Sequence, residues 1–131
     1  MEYAIARIIE GMDMPSLKAR TVEALKTEGF GVITEIDLQA TLQAKLGKDH
    51  LPHLILGACS PAFAHEAVTL EPRISTLLPC NVTLRQLPGG AHEVAVIDPV
   101  VAMGMVNEAA VAPLAAAVRD ALQRALRNIG P

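Results

Sequence analysis

The stretch that decides the fold is Cys80–Asp98, CNVTLRQLPGGAHEVAVID. It reads as two strands, CNVTLRQL and AHEVAVID, joined by PGG. A proline followed by glycine suits a tight turn, so the strands form a hairpin and the sheet containing them is antiparallel or mixed.

Working outward, HLILGAC (53–59) is apolar on both faces and predicts a central strand. Directly after it, Ser60 is a good N-cap and Pro61 suits a first helical turn, where its missing N–H costs nothing. Phe63, Ala64, Ala67 and Val68 would then form the inward stripe of that helix. Further back, GVITEIDL (31–38) predicts a strand with Val32, Thr34, Ile36 and Leu38 on one face and Ile33, Glu35 and Asp37 on the other. Asp37 is placed to cap a short helix in which Leu38, Leu42 and Leu46 recur every four residues before Gly47 ends it. Tyr3–Ile9 predicts an opening strand, and Ser16–Glu28 a helix with Leu17, Val22 and Leu25 inside and Gly29 as its stop.

Toward the C-terminus, RISTLLP suggests a short helical turn or loop. DPVVAMGMVNE begins with an Asp–Pro helix start. A long helix follows, its start delayed or kinked by Pro113, with Val111, Leu114, Val118, Leu122, Ala125 and Ile129 as its apolar stripe. Asp120 and Arg124, four apart, predict a weak supporting pair. The element order is β-α-β-α-β-α-β-β-α-α. Neither linker, repeat nor low-complexity tract breaks it, so residues 1–131 read as one domain.

Composition narrows the class. Of 131 residues, 51% are hydrophobic, which argues against disorder. The only aromatics are Tyr3, Phe30 and Phe63, so the core is aliphatic. Eleven basic residues against 14 acidic ones give a net charge of −3. With no basic cluster and almost no stacking aromatics, nucleic-acid binding is not expected. No apolar run reaches the ~20 residues of a membrane span, so no membrane partner is expected either. The opening MEYAIARIIEG carries Glu2 and Arg7 and lacks a leader pattern, which predicts a cytoplasmic chain. Its two cysteines fit a reducing compartment.

The blocks LKTEGFGVITEIDLQATLQAKLG, LILGACSPAFAHEAV, LLPCNVTLR and VAVIDP resemble, in the same order, the domain-of-unknown-function family 302. The resemblance runs from about Ser16 to Ile129. It implies an α+β domain: a curved, mainly antiparallel sheet covered by a long C-terminal helix, in the TATA-binding-protein-like class. It also implies homodimers. The family's usual GACNP reads GACSP here, so Ser60 caps but brings no side-chain amide.

Chemistry is expected first at Cys59, beside a helix N-terminus whose partial positive charge favours a thiolate. On strand parity Cys59 shares a face with Ile55 and Gly57, and Gly57 leaves room beside it. Cys80 starts the hairpin, and if its strand neighbours that of Cys59 the two sulfurs approach. His65, in the first turns after Cys59, is a candidate base; Glu35 a candidate acid at a cavity mouth; Asn81 a hydrogen-bonding group for a ligand. Asp37 and Asp98 are better explained as caps, and His50 and His92 as loop and strand-surface residues. No metal motif, phosphate loop or nucleophile elbow occurs, and neither metal nor cofactor is expected.

The reading that follows is a small-ligand binder with Cys59, Cys80 and Glu35 near a cavity between sheet and helix. Its rivals are a thiol-dependent activity at Cys59, redox or sulfur/acyl transfer, and a structural role through a homodimer surface.

Overall fold

The chain reverses where PGG predicts it. In the computed structural model, which describes residues 2–130, the Gly90 N–H donates to the Leu87 carbonyl at 3.0 Å and the Leu87 N–H to that of Ala91 at 2.7 Å. Pro88 supplies the fixed φ, and Gly89 takes φ 104°, a left-handed value that a side chain resists.

Around this hairpin five strands form one antiparallel sheet. They are β1 (Ala4–Ile9), β2 (Gly31–Asp37), β3 (His53–Cys59), β4 (Cys80–Gln86) and β5 (His92–Ile97), in the spatial order β1-β5-β4-β3-β2. All four pairings are antiparallel, which settles the choice between an antiparallel and a mixed sheet. The central strand is β4. β3, expected at the centre, lies one place nearer the edge, flanked on both sides.

Helices α1 (Met14–Thr27) and α5 (Val111–Arg127) enclose the core on one side of the sheet. α5 buries Val111, Leu114, Val118, Leu122 and Ala125, the stripe expected of it. Of these, Val118, Leu122 and Ala125 pack with Leu56, Ala58, Val82, Leu84, Val94 and Val96 of the strands. The Arg7 guanidinium, from β1, donates to the carbonyls of Leu126 and Arg127 at 2.8 and 3.1 Å and to that of Ile129. It thereby partners carbonyls that the end of a helix leaves open. A second, smaller core (Ala67, Ile74, Met103, Val111, Leu114, Ala115) joins the start of α5 to α3 (Pro61–Leu70), to a 3-10 helix at Pro72–Leu77 and to Met103. Met103 follows the short α4 (Pro99–Ala102) and begins a 3-10 turn, Met103–Met105.

Four expectations are corrected. Strict alternation along β2 fails because the register shifts between Val32 and Thr34. Val32 pairs with Ala58, whereas Thr34 pairs with Gly57, so Val32 joins the core side and Thr34 and Ile36 the opposite face. The extra residue is a β-bulge, which reverses side-chain parity beyond it. The leucine stripe of α2 (Leu38–Leu46) packs on nothing that buries it: the helix has no buried residue and Leu46 is 65% exposed. Its ends alone define it, with Asp37 accepting from the Ala40 N–H at 2.9 Å and Gly47 left-handed at φ 64°. His92, expected at the surface, is buried opposite Ile9 and Gln86, and its Nδ1 has no partner among the described residues. Finally, Arg124 pairs with Glu28 across to the end of α1 at 2.9 Å, not with Asp120.

Candidate functional site

The cysteine corner is built as its sequence implies. β3 ends at Cys59, opposite Gly31 of β2; the Ser60 hydroxyl accepts from the Phe63 N–H at 3.4 Å; Pro61 opens α3. Cys80 opens β4 opposite Ala58, so the two cysteines stand on adjacent strands, offset by one residue. Cys59 is half-buried and Cys80 buried. Both line one cavity with Phe30, Phe63, Met103 and Leu114, at the junction of the two cores. Phe30 and Phe63 stack across it, with centroids 6.2 Å apart.

That cavity is small and apolar. Its volume is about 20 Å³, room for one water. Burial, and then the nearby Cys59 sulfur, push the Cys80 thiol up to about 11. With that value, on the order of one Cys80 in ten thousand is thiolate at neutral pH. Cys80 is therefore a wall atom, unsuited to act as nucleophile or metal ligand in this state. The space expected beside Cys59 over Gly57 is also filled. A Cβ on Gly57 would stand 2.0 Å from Thr34 Oγ1 and 2.8 Å from Pro79 Cγ.

The remaining candidates are dispersed. Glu35, carried to the helix side by the bulge, pairs with Lys18 of α1 at 2.6 Å and does not line the cavity. His65 is exposed on α3 while Phe63, Ala64 and Ala67 of the same helix line the cavity. Among the described residues, no group of three or more His, Cys, Asp or Glu could hold a metal ion, and no helix is long and apolar enough to cross a membrane.

Asn81 belongs to a different site. It is exposed on the sheet face that α1 and α5 leave open, where it lines a groove of about 640 Å³. Thr83, Arg85, Glu93, Ala95 and Ile97 continue that surface along β4 and β5. The segment Thr76–Pro79 walls one end, and Leu78 and Pro79 also wall the thiol cavity, so the two spaces share a partition. Arg85 Nε donates to Glu93 Oε1 at 2.8 Å and its Nη2 to Oε2 at 3.2 Å, a forked pair that leaves the groove without a net charge from these two groups. Of the groove's polar residues, only Asn81 is a candidate on sequence grounds. The signal for the others lies in CNVTLRQ itself, where Asn81, Thr83 and Arg85 alternate with Val82 and Leu84.

Comparison with known proteins adds the following. The model of the family described as Domain of unknown function DUF302 matches residues 8–129. The crystal structure of the uncharacterized conserved protein DUF302 from Bacillus stearothermophilus superposes with a TM-score of 0.91 at 27% identity, covering 99% of this chain and 100% of that one. No curated protein matches the chain.

Proposed function

This chain belongs to the family Domain of unknown function DUF302, and on that premise we propose that it is a binding protein for a small amphipathic molecule, held in the groove on the open face of the sheet. The observation that carries this reading is the volume of about 640 Å³, within the ~300–1,000 Å³ usual for small-molecule sites. The neighbouring thiol cavity, at about 20 Å³, admits no such ligand. The groove offers what orients a ligand: the Asn81 amide and Thr83 hydroxyl as donors and acceptors, and Leu77, Leu78 and Pro79 as an apolar wall. Since Arg85 and Glu93 neutralise each other, a neutral or zwitterionic polar group fits better than a strongly charged one.

Chemistry at Cys59 has less support. Among the described residues no base stands beside it, because His65 is exposed to solvent and Cys80 stays protonated. The competing occupant of the groove is a second copy of this chain laid on the same face.

The test is a fragment screen by NMR on the 15N-labelled chain, with sedimentation of the same sample. Amide shifts concentrated at Asn81, Thr83 and Ala95 support the reading. Loss of one hydrogen bond in Asn81→Ala should then weaken a hit by roughly two- to tenfold. Hits gathered elsewhere, or a dimer whose formation shields those amides, overturn it.

A further inference from the structure

We infer that His50 and His53 together form a two-nitrogen binding site for a borderline divalent transition ion of the zinc or nickel class.

The short stretch HLPH brings two imidazoles to one point. His50 Nε2 and His53 Nδ1 are 3.1 Å apart, and the rings lie nearly parallel, 20° between planes, with centroids 5.3 Å apart. A metal holding two imidazole nitrogens at about 2.0–2.1 Å separates them by about 2.9 Å at a right angle and about 3.4 Å at the tetrahedral angle. The observed spacing falls between these values; the rings now face each other nearly end-on in a hydrogen bond, so each must turn by about 40° to point its nitrogen at a shared ion. The proton now shared between the rings moves to the far nitrogen of its own ring, and both imidazoles bind neutral.

The backbone around the pair is already fixed, which limits the ordering that binding demands. Gln39 Nε2, from α2, donates to the His50 carbonyl at 2.9 Å. The Gln86 N–H donates to the Pro52 carbonyl at 2.9 Å, and His53 pairs with Arg85 at the start of β3. Desolvation, followed by the nearness of His50 and Arg85, lowers the His53 pKa below its ordinary value and favours the neutral ligand form. Arg85 is forked onto Glu93, which reduces its repulsion of a cation. Two protein nitrogens leave the other coordination positions to water or to a donor atom of another molecule. The ion would sit beside Arg85, a groove-lining residue, so the proposal stands whether or not the groove itself binds a ligand.

The experiment titrates zinc chloride, and separately nickel chloride, into the full chain without an affinity tag. It follows heat and the carbon-bound ring protons of the four histidines. One ion per chain is expected, with the His50 and His53 signals responding and those of His65 and His92 unmoved. His50→Gln and His53→Gln should each weaken binding roughly tenfold or more. Magnesium, which prefers oxygen ligands, should have no effect. Failure of the His50 and His53 rings to respond at millimolar zinc, or undiminished binding in both variants, overturns the site.

Discussion

Consecutive residues of β4 serve two surfaces of opposite character. Val82 and Leu84 are buried in the aliphatic core, while Asn81, Thr83 and Arg85 between and beside them line the open groove. The core side holds the only cysteines, but it closes around them and leaves space for one water. The groove side has space for a ligand and no thiol in its lining. Reactivity and room are thus separated by the Leu78–Pro79 wall, which argues for a surface that recognises molecules over a pocket that transforms them.

The sharpest way to break that contrast is to truncate each side of β4 in turn. Leu84→Ala, at a fully buried position, should destabilise by ~2–5 kcal/mol in urea unfolding. Thr83→Ala, one residue away, should change stability by less than ~0.5 kcal/mol. Comparable losses at both positions would mean the open face is not open in solution. Next in size is Gly57→Ala. Its methyl group meets Thr34 Oγ1 and Pro79, so a loss of ~1–3 kcal/mol is expected, partly restored by adding Thr34→Ala.

The sealed thiol gives a pH test. The Cys80 pKa is raised from 9.0 to about 11 in the fold, so the unfolded chain ionises first as pH rises. Stability from this group is intact below pH 9 and falls between pH 9 and 11, with about 1.4 kcal/mol gone by pH 10. Cys80→Ala should flatten that alkaline decline, whatever its own effect at pH 7. Across the same window, alkylation should modify half-buried Cys59 well before Cys80. The smallest effect is expected at the groove's ion pair. Arg85 is 44% exposed, so Glu93→Gln should cost no more than ~1 kcal/mol.

Much of this was readable from local signals. The caps at Asp37, Ser60 and Asp98 accept hydrogen bonds from backbone N–H groups two or three residues on, and the α5 stripe is buried as its period requires. Each is decided by neighbours within one turn of chain. What escaped was decided by partners far away in sequence. The bulge in β2 exists only as a mismatch with β3; the burial of His92 follows from where β1 and the core lie; and the α2 leucine stripe is only half-buried at Leu38 and Leu42 and exposed at Leu46. The candidate site was half legible. Cys59 and Cys80 stand on adjacent strands and line one cavity, yet the size of that cavity is a packing outcome that spacing cannot express. Asn81 lies in the groove and not at the cysteines, because the side of the sheet it faces depends on which face the helices cover, a matter of long-range packing.

The bulge also affects how molecules meet one another. β2 is an outermost strand carrying exposed Ile33 and Ile36, the sort of border that invites another chain to extend the ladder. The inserted residue breaks the even run of amides and carbonyls and increases the local twist. A straight strand arriving from a neighbour would find its hydrogen bonds out of step there, which disfavours extension of the ladder along this border.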